Sequence, residues 1–221
     1  MSVAFPNEPS DYRAARDQLL QAEIRLRQQV AEVAEQRRRL PLGGQVKEDY
    51  EFAERRDAGR IRPVKMSQLF GPHDSLFLYS FMYGPQAELP CPMCSSLLDA
   101  LNGNAPHINQ RTSLAVAARS DIERVAEFAE RRGWHNLRLL SSRDTDYNSD
   151  YLAENAAGEQ FPMANVFVRR EGRIHHFWGS ELFYADVDGQ PRHMDLMWPL
   201  WNVLDTLPAG RGEDWYPSLG V

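Results

Sequence analysis

Two cysteines are all that this chain of 221 residues contains. Its first residues, MSVAFPNEPSDYRAARD, hold neither a basic n-region nor a long apolar h-region. No secretory signal is therefore expected, and the expected location is cytoplasmic. A long hydrophobic run is missing as well. The longest, Leu76 to Tyr83, is far too short to cross a bilayer, which argues against a membrane role. Positive charge is not in surplus. Lys and Arg number 25 against 31 Asp and Glu, for a net charge of -6, so such a surface does not favour a nucleic acid partner. There is no internal repeat. What remains, with 43% hydrophobic and 25% charged residues, is an ordinary composition able to fill one substantial core.

The two cysteines fall in one run, Cys91-Pro92-Met93-Cys94. In a reducing compartment this spacing points to redox or metal chemistry rather than to a structural staple. Its meaning depends on the elements around it.

Residues 1–42 read as a helical arm. From Ser10 to Arg39 there is no Gly or Pro, and Ser10 is the expected N-cap. Tyr12, Leu19, Leu26, Val33 and Leu40 recur every seven residues, beside Leu20, Ile24 and Val30. This narrow apolar stripe suits either a homodimer formed through the arm or an arm packed on its own domain. Arg37 to Arg39 suit the negative end of the helix dipole, and Pro41 stops the helix. Residues 43–74 are mixed. Tyr50 and Phe52 alternate with charged residues like an edge strand, and Glu54 to Asp57 reads as a solvated turn.

Residues 43–210 are expected to hold the folded domain, with 211–221 as an irregular tail. Leu76–Tyr83 reads as a central strand covered on both faces. A helix over Cys94–Leu101, closed by Gly103, follows the cysteine loop. Thr112–Ala117 is a second buried strand. Ser120 and Glu123 form a capping box for a helix that ends at Gly133. Leu137–Leu140 is a third strand, and Ser141–Phe161 a polar loop. Asn165–Val168 and Ile174–Trp178 flank a hairpin turn at Glu171-Gly172-Arg173. Met194–Leu207 can be helical despite Pro199. The order β-α-β-α-β, then β-β-α, with Cys-x-x-Cys between the first strand and its helix, predicts an α/β fold of thioredoxin-like type with a mixed central sheet.

In that setting Cys91 lies just before the helix and Pro92 in its first turn, where the missing N–H of proline is harmless. The free amides at the helix start favour a Cys91 thiolate, which makes Cys91 the attacking thiol. Cys94, one turn deeper, would resolve the mixed disulfide. Neither Pro92 nor Met93 carries charge, so backbone geometry and burial must tune the pair. No cofactor is expected. A zinc site needs four ligands, and there is no second cysteine pair. His175 or His176 could complete a metal site, but as strand neighbours they face opposite sides. No metal site is assigned, and a chemically idle pair is the remaining alternative. His73, His107, His135 and His193 are scattered and carry no assignment. Asp144, Asp146 and Asp150 read as a solvated loop.

Several runs together resemble a bacterial family. They are Gln36-Arg37-Arg38-Arg39-Leu40-Pro41, Lys47-Glu48-Asp49-Tyr50-Glu51-Phe52, Phe81-Met82-Tyr83-Gly84-Pro85, Cys91-Pro92-Met93-Cys94-Ser95 and Leu207-Pro208-Ala209-Gly210-Arg211-Gly212. In this order, over most of the chain, they resemble the thioredoxin-like family known as DUF899. The resemblance implies a thioredoxin fold with an N-terminal helical extension and a dithiol–disulfide oxidoreductase acting on a disulfide or thiol substrate. Thioredoxins place a cis-proline before the strand facing the disulfide. The corresponding loop here offers Pro162, with Ala164 at the matching place. Pro90 stands where thioredoxins have tryptophan, and no Pro-x-x-x-Thr-x-x-Cys run of the peroxiredoxins is present.

Overall fold

The structure, a computed structural model, describes residues 4–56, 59–186, 194–212 and 215–220. Asp57 and His193 lie outside them. The chain divides into two compact units, Met1–Pro41 and Leu42–Val221.

The first unit is built on α1, Ser10–Arg38. Pro9, not Ser10, occupies the N-cap position. Its extended backbone leaves its carbonyl free to accept from the Arg13 amide at 3.1 Å, closing the first turn. None of the α1 residues is buried, and Leu19, Leu20, Ile24 and Leu26 are exposed. The seven-residue stripe stops at Val33, because the helix ends before Leu40. Ion pairs such as Arg13 with Asp17 and Arg39 with Glu35 support the helix along its surface.

The second unit is a seven-stranded sheet. Its strands are β1 (Glu51–Arg55), β2 (Ile61–Lys65), β3 (Ser75–Phe81), β4 (Ser113–Ala118), β5 (Leu139–Ser141), β6 (Met163–Arg170) and β7 (Arg173–Gly179). They lie in the order β2-β1-β5-β4-β3-β6-β7. A short helix, α2 (Met66–Leu69), follows β2. The β3–β4 and β4–β5 pairs are parallel, joined by crossovers through α3 (Pro92–Ile108) and α4 (Ile122–Arg132). The others are antiparallel, including β3 with β6 and the β6–β7 hairpin, turned by Glu171 and Gly172 with positive φ. A bulge at Val166/Phe167 interrupts the hairpin ladder.

Alternation along the central strand makes two cores. Phe77, Tyr79 and Phe81 face one cluster, which holds Cys94, Leu97, Leu98, Leu101, Phe128, Trp134, Trp198 and Trp201. Leu76 and Leu78 face the other, with Tyr50, Phe52, Met66, Phe70, Tyr147 and Phe167. The cysteines and the tyrosines of the 140–151 segment therefore lie on opposite faces of the sheet.

Several expectations change. β1 is not an edge. β2 lies outside it, and Pro63 is tolerated there because an edge strand can lack one amide. Glu54 is not in a solvated turn. It follows Tyr50 and Phe52 at two-residue intervals, shares their inward face and is only 2% exposed. Arg138, Arg56 and Arg62 surround its carboxylate at 2.8, 3.0 and 3.3 Å. Burial alone would raise the Glu54 pKa, but the Arg138 and Arg56 guanidinium groups outweigh it and hold the carboxyl below its ordinary value.

Helix α3 continues past Gly103 and even contains Pro106. Leu101 and Ala105 keep its apolar face in the core. Pro106 cannot donate to the Asn102 carbonyl, which instead accepts from Asn136 Nδ2 at 3.2 Å. At α4, Asp121 is the N-cap and makes no side-chain cap bond. Ser120 is buried and donates its hydroxyl to the Gly84 carbonyl at 2.8 Å, so the expected capping box is absent. Gly133, at φ 71, does end α4 in the left-handed conformation.

The 141–161 segment is also less loop-like than its composition suggests. It contains α5, Tyr147–Asp150, with Tyr147 and Asn148 buried. Asp150 accepts from the Tyr50 hydroxyl at 2.7 Å. Near the C-terminus, Pro199 opens α6 (Pro199–Leu204) at its first turn, where proline fits. On the far side of the sheet, residues 43–46 run along β7. Gly43 and Val46 donate to the His176 and Ile174 carbonyls at 3.0 and 2.9 Å. The Gly43 approach is so close that a Cβ there would sit 2.5 Å from the His176 oxygen.

Candidate active site

The site is assembled where β3 ends. The chain leaves the sheet at Phe81, loops through residues 82–90 and returns as the Cys91 amide donates to the Met82 carbonyl at 3.0 Å. Two residues at the start of the α4 region hold this loop. Ser120 bonds Tyr83 and Gly84 through its amide and hydroxyl. Arg124 donates to the Pro85 carbonyl at 2.7 Å and to that of Ala87, with its guanidinium over the Tyr83 ring at 4.9 Å. A loop tied at four main-chain carbonyls fixes the point at which Cys91 enters the helix.

Cys91 is the N-cap of α3, and Pro92 is its first residue. The Cys91 sulfur takes the capping role usually filled by Ser or Asp, accepting from the Cys94 amide at 3.5 Å. Ser95 returns its amide and hydroxyl to the Cys91 carbonyl at 3.0 and 2.9 Å. Met93, half-buried, packs against the cysteine-side core.

The two thiols have unequal surroundings. Both are free; Cys91 is half-buried and Cys94 buried. The Cys91 pKa is lowered to about 6. The largest cause is hydrogen bonding from the Cys94 thiol; burial opposes it, and the Cys94 amide, the Tyr216 hydroxyl and the Met93 amide reinforce it. The Cys94 pKa is raised, first by burial and then by the neighbouring Cys91 sulfur. Beneath the pair, the fully buried Tyr79 hydroxyl faces the Cys94 sulfur. Its pKa is raised first by burial and then by the Cys94 sulfur, while Tyr79 in turn works against burial to favour the Cys94 thiolate.

The irregular C-terminal segment supplies a residue that pattern reasoning missed. Tyr216 places its hydroxyl 3.7 Å from the Cys91 sulfur. Trp215 meets Trp201 edge to face at 6.0 Å, and the buried Leu219 offers its carbonyl to Arg132. Neither periodicity nor a motif marks Tyr216. The only sequence signal is an aromatic pair, Trp215-Tyr216, within an otherwise polar stretch.

β6 begins at Met163, so Pro162 directly precedes it, but among the described residues every peptide bond is trans. Pro162 is therefore not a cis-proline. Ala164 lies within the strand, paired with Tyr79 and buried in the cysteine-side core.

The histidines are engaged elsewhere. His175 Nδ1 lies 3.2 Å from the Gly43 carbonyl. His176 bonds Asn165 Oδ1 at 2.9 Å and stacks on Tyr151. Among the described residues, no three His, Cys, Asp or Glu side chains gather as a metal site. No helix among them is long and apolar enough to cross a membrane.

A central parallel strand leading into a Cys-x-x-Cys at a helix start, within a mixed sheet closed by an antiparallel hairpin, defines a thioredoxin-like protein. The chain belongs to the family described as bacterial protein of unknown function (DUF899), whose model matches residues 3–220. Comparison with curated proteins finds no match. Among solved structures, the chain is similar to the peroxidoxin BcpB from Mycobacterium tuberculosis, at 20% identity and TM-score 0.47, over 75% of this chain and 98% of that one. It is also similar to AhpC from Enterococcus faecalis, at 12% identity and TM-score 0.45, over 80% of this chain and 98% of that one. A 2-Cys peroxiredoxin from Plasmodium vivax matches at 13% identity and TM-score 0.46, over 60% of this chain and 81% of that one.

Proposed function

We propose that the chain is a thiol–disulfide oxidoreductase that cycles Cys91 and Cys94 between dithiol and disulfide. The observation that carries this reading is the asymmetry of the pair: a half-exposed sulfur at a helix N-cap with a lowered pKa, above a buried thiol with a raised one. The Cys91 thiolate attacks a substrate disulfide. Its S–S bond breaks, one substrate sulfur joins Cys91, and the other leaves as a thiolate that takes a proton from water. Cys94 then loses its proton and attacks Cys91, releasing the second substrate thiol. The protein gives up two electrons and the Cys94 proton, water supplies the second proton, and a dithiol reductant restores it by the same steps reversed.

The test is exchange itself. The wild type should equilibrate with a glutathione redox buffer at a defined midpoint potential and should reduce insulin disulfides. Cys91→Ser should do neither. A wild type without exchange, or a Cys91→Ser variant retaining it, rejects the reading.

A second reading is favoured by α1. Its exposed Tyr12, Leu19, Leu20, Ile24 and Leu26 form an apolar stripe on a helix with no buried residue. This pattern fits a homodimer formed through the arm, with the thioredoxin-like unit as cargo. Sedimentation of the wild type and of Leu19→Glu/Leu26→Glu tests it. A wild-type monomer removes it.

A further inference from the structure

We propose that Tyr216 is a working member of the dithiol centre, its hydroxyl donating to the Cys91 thiolate and holding it for attack. The inference rests on the redox reading above and adds a third group to it. Three observations carry it.

The first is contact. Tyr216 Oη lies 3.7 Å from Cys91 Sγ, within the reach of a sulfur hydrogen bond. A phenol is a donor at neutral pH, and burial together with the neighbouring Cys91 sulfur keeps this one protonated. A neutral thiol gains little from such a donor, whereas a thiolate gains a charge-assisted bond. The contact therefore favours the reactive form over the resting one.

The second is anchoring. Tyr216 does not arrive on a free chain end. Just upstream, Arg211 is held by Asp195 and Asp205 at 2.9 and 2.6 Å and covers the Trp201 ring at 5.0 Å. Trp215 abuts that same Trp201, on the helix whose Trp198 donates to Ser96 of α3 at 2.9 Å. Leu219 is buried and bonded through its carbonyl to Arg132, which also pairs with Asp99 of α3. The segment is thus fastened on both sides of Tyr216 to elements that also position Cys91 and Cys94.

The third is division of labour. The titratable groups around the pair are Cys91, Cys94, Tyr79 below and Tyr216 outside. Tyr79 hydrogen-bonds the buried thiol, and of the two tyrosines only Tyr216 brings its hydroxyl within hydrogen-bond distance of Cys91. Of the other donors, the Cys94 thiol is the largest and is the resolving partner itself, while the Cys94 and Met93 amides belong to the helix start and do not vary with side-chain identity. Tyr216 is the place where one side chain can set thiolate reactivity.

The experiment compares the full-length wild type with Tyr216→Phe and Tyr216→Ala, all reduced. Thiolate absorbance at 240 nm is followed against pH, together with the rate of iodoacetamide alkylation at neutral pH. Loss of the phenolic hydroxyl alone should raise the Cys91 pKa by about one unit, the size of one weak charge-assisted hydrogen bond. Tyr216→Ala should raise it by the same amount. If Tyr216 only shields Cys91, Tyr216→Phe will titrate like the wild type and Tyr216→Ala will merely alkylate faster, which overturns the proposal. A wild type that titrates near an ordinary cysteine, about 8.5, rejects the redox reading and Tyr216's role with it. A wild type titrating near 6 with an unchanged Tyr216→Phe rejects the role of Tyr216 alone.

Discussion

Cys94 donates its backbone amide to the sulfur of Cys91 across 3.5 Å, so the two cysteines meet through a main-chain hydrogen bond while both thiols are free. The same contact that brings the two residues together also favours a thiolate on Cys91. Three predictions concern this pair and its surroundings, and a fourth the buried Glu54 of β1.

Exchange should separate the two cysteines by role. Cys94→Ser should accumulate a mixed disulfide on Cys91 when mixed with a small aromatic disulfide, seen as a stable mass increase. Cys91→Ser should accumulate none, because Cys94 is buried and its pKa is raised. Equal labelling of the two variants would contradict the assignment.

The reduced protein should gain stability between about pH 6 and 8.5. In this window Cys91 has lost its proton in the folded state, while an unfolded cysteine still holds one. The unfolded state therefore binds more protons, and stability rises with pH, by at most about 1.4 kcal/mol per unit. The gain is lost as pH falls through about 6. Above about 8.5 the raised Cys94 pKa reverses the trend, since the folded state then holds the extra proton. Urea melts of the reduced and Cys91→Ser proteins at several pH values check the sign.

Tyr79→Phe should push the Cys94 pKa still higher and slow the resolving step. Among the groups around Cys94, the Tyr79 hydroxyl opposes the effect of burial and favours the thiolate, and phenylalanine removes it with almost no change of shape. The lifetime of a mixed disulfide on Cys91, followed by mass in wild type and variant, checks this, and an unchanged lifetime contradicts it.

Glu54→Gln should destabilise the fold by about 3 kcal/mol, because it strips the carboxylate from Arg138 and two further guanidinium groups at a buried position. The native carboxyl, held below its ordinary pKa, should also make the wild type acid-sensitive. Its stabilisation is complete above the unfolded value of about 4.3 and lost as pH falls through the lower folded value. Glu54→Gln should lack that part of the acid transition.

Much of this was legible in the chain. The run Leu76–Tyr83, the Cys91–Cys94 spacing and the Gly133 stop were enough to place the dithiol at a helix start after a central strand. Local patterns failed where tertiary contacts overrode them. Gly103 and Pro106 look like helix stops, but the core-facing Leu101 and Ala105 and the Asn136 side chain carry α3 past them. Ser120 looks like a cap but ties down the cysteine loop. Glu54 was readable in principle, since Tyr50, Phe52 and Glu54 share one two-residue period. Tyr216 was not. It stands 125 positions from Cys91 in a segment without periodicity, and only the folded chain brings them together.

The margins of the sheet carry a last consequence. On one margin Pro63 offers no amide to a newcomer; on the other, residues 43–46 already occupy the Ile174 and His176 backbone groups. Neither edge is left as a clean template for strand addition, so amyloid-type stacking and swapped-strand dimers are disfavoured from the outset. Side-chain surfaces are the mode of self-association that these edges leave favoured.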